Sequence, residues 1–97
     1  MRYDDLPGAE LVLPGIEDLR RGIESVPALL VAIGWPRLAW IGLELPANDF
    51  DEPENRLYAL LAAEHGDAAH SRYNALVRRL VSFERAATFA SRVDARR

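Results

Sequence analysis

Asp67-Ala-Ala-His-Ser-Arg-Tyr-Asn-Ala-Leu-Val-Arg-Arg-Leu-Val-Ser-Phe-Glu-Arg-Ala-Ala-Thr-Phe-Ala-Ser-Arg-Val93 is the longest stretch of this chain that contains neither Pro nor Gly. At about 100° per residue, Ala69, Tyr73, Leu76, Val77, Leu80, Phe83, Ala87 and Ala90 fall on one side of a helical wheel. The spacing predicts one long amphipathic helix with arginines beside and behind the stripe. Arg78, Arg85 and Arg92 recur every seven residues and line up with Asn74 on the outer face, whereas Arg72 and Arg79 follow one edge of the stripe.

Immediately upstream, Gly66 ends a second helical pattern predicted over Pro53 to Glu64, with Leu57, Leu60 and Leu61 buried and Tyr58 alongside. Asp51 is the expected N-cap, Pro53 fits the first turn, and Glu52 and Glu54 sit near the positive end of the helix dipole. With Asp67 capping the C-terminal helix, the connection is short enough that the two helices should form a hairpin. Residues 94–97 are expected to fray.

Further toward the N-terminus, Leu43 to Glu52 is an acidic stretch without period, expected to be a mobile loop pinned by Phe50. Val26 to Ile33 is apolar nearly all round, the pattern of a central buried helix, with Ser25 as its N-cap and Pro27 in its first turn. Gly34 and Pro36 are read as a stop and restart, giving a separate short helix over 36–42 that carries Trp40 beside Trp35. Before these, Pro14 to Gly22 or Ile23 is predicted helical, burying Val12, Ile16, Leu19 and Ile23, with Ala9 to Leu13 a turn joined through a proline kink. Leu6-Pro7-Gly8 and Leu13-Pro14-Gly15 are read as punctuation, and residues 1–8 as a loose lead-in. The nearest strand candidate, Trp40 to Leu45, is broken by Gly42 and ended by Pro46. The expected fold is therefore all-α: a single domain over 1–97, a small bundle of four to five helices whose long C-terminal helix forms a hairpin with the preceding one.

Composition agrees with one folded domain: 97 residues, 49% hydrophobic and 28% charged. The absence of cysteine excludes disulfides, thiolate metal sites and a cysteine nucleophile, and fits a cytoplasmic setting. No export signal or membrane span is expected, since the apolar runs fall far short of the roughly 20 residues that cross a bilayer. All 12 basic residues are Arg, a bias that a GC-rich bacterial genome would produce.

The net charge of −3 conceals a segregation. Residues 1–69 hold 13 acids and 5 arginines (−8), whereas residues 70–97 hold 7 arginines and 2 acids (+5).

Little in the chain points to catalysis. His65 and His70 are five apart and separated by Gly66, not the i, i+3 or i+4 spacing of helical metal ligands. Ser25, Ser71, Ser82 and Ser91 lie outside any Gly-x-Ser-x-Gly context, and the six glycines are scattered, so no phosphate-cradling loop is present. No catalytic residue, cofactor or metal is therefore expected, and the chain reads as a non-enzyme. Its informative residues are of the types that anchor protein interfaces: Arg78, Arg85, Arg92 and Asn74 on the outer rail, Phe89 off the stripe, and Trp35 with Trp40. A protein partner or a second copy in a homodimer is the expectation. Nucleic acid is the alternative, because an arginine-rich helix can contact phosphates, but the acidic majority of the chain opposes a polyanion. The helix-turn-helix look of 26–42 fails on chemistry, since its second helix would offer Leu38, Trp40 and Ile41 with only Arg37.

Overall fold

The computed structural model describes residues 3–48 and 50–95, and the regular structure among them is entirely helical. Helix α1 spans Ala9–Arg20, α2 Val26–Ile41, α3 Pro53–His65 and α4 Ala69–Ala95, with a 3-10 turn, Gly66–Ala68, between the last two. No coil residue separates α3, this turn and α4, so the chain forms three uninterrupted helical stretches, the last folded back on itself, rather than four to five separate ones. The 48 Å long axis of the molecule follows from α4, whose 27 residues rise about 40 Å.

The expected break at 34–36 is absent, because α2 runs straight through it. Pro36 has no N–H to give the Ala32 carbonyl, and the Asn48 side-chain amide donates to that oxygen instead, at 3.4 Å. Trp35 Nε1 donates to the Pro46 carbonyl at 2.9 Å, and Phe50 packs against the core. Residues 46 and 48 are thus tied to α2 by hydrogen bonds while Phe50 packs on the core, so Phe50 is not the sole anchor. Ser25 caps α2 as expected, accepting from Ala28 N at 3.1 Å while its hydroxyl donates to Asp18 at 2.7 Å.

Helix α1 likewise begins earlier than the sequence pattern places it, at Ala9, with Pro14 inside it. It closes in a Schellman arrangement: Ile23 N donates to Asp18 O at 2.9 Å, Gly22 N to Leu19 O at 3.1 Å, and Gly22 has φ 72°. That turn carries Ile23 out of the apolar face, leaving it 45% exposed, whereas Val12, Ile16 and Leu19 are buried as expected.

The two Leu-Pro-Gly copies are packing points, not mere punctuation. A Cβ on Gly15 would overlap the Pro27 carbonyl and come within 2.7 Å of Val31 Cγ2; one on Gly8 would lie 2.6 Å from the Arg79 carbonyl oxygen. α1 therefore sits close against α2 at one glycine and against α4 at the other. The lead-in also has structure: Leu6 N donates to Tyr3 O at 3.1 Å, and the Tyr3 ring lies 6.2 Å from that of Phe83.

At the other end, neither predicted carboxylate cap forms. Asp51 lies one residue early, and Glu52 holds the N-cap position of α3 in a left-handed conformation (φ 48°) without a side-chain bond; Asp67 lies inside the 3-10 turn. The hairpin does form, with the Tyr58 and Tyr73 rings 5.9 Å apart across it. Ala69, Leu80, Phe83 and Ala87 of the α4 stripe are buried, together with Leu29, Leu30, Val31 and Leu38 of α2 and Leu57 and Leu61 of α3. Fraying from residue 94 is not seen as far as Ala95; Arg96 and Arg97 lie outside the described residues. Among the described residues, no helix is long and apolar enough to cross a membrane.

Candidate protein interface

The arginines of α4 divide by which neighbour their side of the helix meets. Arg79 faces α1 and forms an ion pair with Glu10. Arg72 lines a groove at the base of the hairpin with Val26, Leu61 and His65. Arg78, Arg85 and Arg92 are exposed and have no ion-pair partner among the described residues.

The rail borders a seam made by the C-terminal half of α2 against the C-terminal half of α4. The two helices run in the same direction there. Gly34 of α2 faces Leu80 and Glu84, a Cβ at that position lying only 3.0 Å from either Leu80 methyl. Further along, Arg37 faces Val81, Glu84 and Arg85 around an open cavity of about 390 Å³. Trp40 and Ile41 then meet Thr88, Ser91 and Arg92 around a second cavity of about 230 Å³.

Side chains along this seam are tuned by one another. The Arg37 guanidinium stands 5.5 Å from the centre of the Trp40 ring, within cation–π reach. Partial burial pushes the Glu84 carboxyl above its usual range, and the Arg37 charge offsets only part of that. Trp40 is 71% exposed and Phe89 is 69% exposed, on the side of α4 away from the core.

The other residues singled out from the sequence are placed differently. Asn74 lies on the rail face, but its amide is 3.2 Å from His70 Nε2, one turn earlier. Trp35 is half-buried with its N–H committed to the Pro46 carbonyl, so it braces the chain around Pro46. His65 and His70 turn to Glu64 and Asn74 respectively and do not converge. Among the described residues, no group of three or more His, Asp or Glu side chains could hold a metal ion. Arg37 is the contributor that sequence reading missed. Its i, i+3 spacing to Trp40 was the available signal, and it only becomes visible once 34–41 is seen as continuous helix.

The carboxylates are also sorted. Those of α1 and its following turn are engaged: Glu10 with Arg79, Glu17 with Arg20 and Arg21, Asp18 with Ser25, and Glu24 with Arg56. Asp51, Glu52 and Glu54, at the head of α3, are exposed and carry no ion pair among the described residues. Glu54 sits across the hairpin from Tyr73, whose hydroxyl is pushed above its ordinary range by burial and, secondarily, by that carboxylate. Comparison with known protein families, with curated proteins and with solved structures gives no match for this chain.

Proposed function

We propose that the chain is a non-enzymatic helical interaction module of a bacterial cytoplasm, docking an acidic protein surface on the α2–α4 face. Trp40 and Phe89 are its apolar anchors; Arg78, Arg85 and Arg92, flanked by Arg37, pair with carboxylates of the partner. One observation carries this reading: the two most exposed large apolar side chains among the described residues lie on the side of the molecule that holds the ion-pair-free arginines. Aromatic residues and Arg are enriched where interfaces concentrate their binding energy, and the planar guanidinium fork matches a carboxylate. The Glu84 carboxylate lies in the seam between Arg37 and Arg85, and the chain outside α4 is acidic; both features oppose a nucleic-acid backbone and favour a partner that meets the arginines individually.

The reading is tested by fluorescence polarisation with two probes, a labelled Glu-rich peptide bearing one Phe and a mixed-sequence RNA or single-stranded DNA, each across a salt series. The peptide is expected to bind, and to weaken at least about tenfold with Arg78→Gln, Arg85→Gln and Arg92→Gln combined, or with Trp40→Ala. Tight nucleic-acid binding with a steep salt slope and no peptide binding would replace this reading with phosphate recognition.

A further inference from the structure

Resting on that reading, we infer that the acidic surface docked on the rail is the head of α3 in a second copy of this chain, in a reciprocal twofold dimer. Among the described residues several exposed charges lie outside the ion pairs, and two clusters of them are of opposite sign. One is Arg78, Arg85 and Arg92 on α4; the other is Asp51, Glu52 and Glu54 at the start of α3. They belong to neighbouring helices. The Tyr58 and Tyr73 rings meet at a tilt, and α3 begins five residues before Tyr58, at Pro53, so in the antiparallel hairpin the acidic head lies roughly abreast of the turn of α4 that holds Arg78.

A basic and an acidic patch side by side on one molecule are what a twofold axis pairs with their opposites on a copy, each contact made twice. Among the described residues no ion pair joins the two patches within one chain. Arg78 and Arg92 are fourteen residues apart, about 21 Å along the helix, and Tyr58, 42% exposed next to Glu54, gives the acidic patch an aromatic side chain to set against Phe89 or Trp40. A standard interface takes about 800 Å² from each partner, a small part of the 6029 Å² this chain exposes.

Sedimentation velocity on the full chain, across concentration and salt, reads the association directly. The wild type is expected to move from monomer to dimer as concentration rises and to return to monomer as salt is added. Arg78→Glu, Arg85→Glu and Arg92→Glu together should give a monomer, as should Asp51→Arg, Glu52→Arg and Glu54→Arg together. An equimolar mixture of the two variants should recover a dimer, because both reciprocal contacts then again join opposite charges. Should the triple change at the head of α3 loosen that helix by circular dichroism, Glu54→Arg alone carries the same test with a smaller shift. A wild type that stays monomeric at all concentrations overturns the inference; if it still binds the acidic peptide, the docking face stands and only the identity of its occupant falls. A dimer indifferent to salt and to both variants also overturns it, since association would then use another surface.

Discussion

Arg78 and Arg79 are adjacent in sequence and meet opposite surroundings. The 100° turn between them places Arg79 against α1, where Glu10 meets it, and Arg78 on the outer flank, where it has no ion pair among the described residues. Nothing in their own chemistry separates them. What separates them is the rotational setting of α4, fixed by Leu80 and Phe83 in the core and by the close approaches at Gly8 and Gly34. The charge of a helix surface is therefore decided by the apolar residues on its other side, and an arginine count alone cannot tell a structural cation from one available to a partner.

The sharpest way to break the comparison is to remove what fixes that rotation. Leu80 is 3% exposed and seated on Gly34, so Leu80→Ala should cost about 2–5 kcal/mol. Thermal melting reads this, and an unchanged midpoint would mean that α4 is not anchored by its stripe. Gly15→Ala should cost somewhat less, about 1–3 kcal/mol, because a methyl there must displace the Pro27 backbone and shift α1, carrying Glu10 with it. Chemical denaturation should show the loss with an unchanged slope.

Periodicity made the inner side of this comparison legible. The α4 stripe, the α1 face through Val12, Ile16 and Leu19, and Leu57 with Leu61 can all be read from the spacing of apolar residues, as can the short hairpin connection. What could not be read depended on partners distant in sequence. Pro36 looks like a helix break until Asn48 supplies the missing donor, and Gly15 looks like a turn until Pro27 lies against it. Ile23 was misplaced for the same reason: a Schellman turn redirects it after the local pattern has been read. At the candidate interface, the rail spacing was visible in the sequence. The Arg37–Trp40 pair was hidden by the false break at 34–36.

Replacing the two neighbouring arginines one at a time sharpens the comparison. Arg79→Gln should lose up to about 1 kcal/mol, since it breaks an ion pair that is largely solvated on both sides. Arg78→Gln should change stability by less than about 0.5 kcal/mol while weakening the dimer or the acidic peptide. Urea melts on the two variants check the two stability values, and sedimentation checks the weakened dimer. Equal losses of stability would show that the rail is engaged within the chain.

The smallest effect concerns Glu84, on the seam between Arg37 and Arg85. Its folded-state pKa lies above the ordinary carboxylate value, chiefly through burial. A carboxyl raised in this way binds its proton more tightly when folded, so its contribution favours folding below the unfolded-state value and is lost as pH rises through the interval up to the folded-state value. Glu84→Gln keeps the shape and removes the ionisation. It should melt slightly above the wild type at neutral pH, with the difference closing as pH falls below the carboxylate range, where both proteins are neutral at this position. The same change removes the negative charge that shares the seam with Arg37, so the variant should also bind the acidic probe more tightly at neutral pH. A melting difference that persists in acid would place the effect in packing against Gly34 instead of in charge.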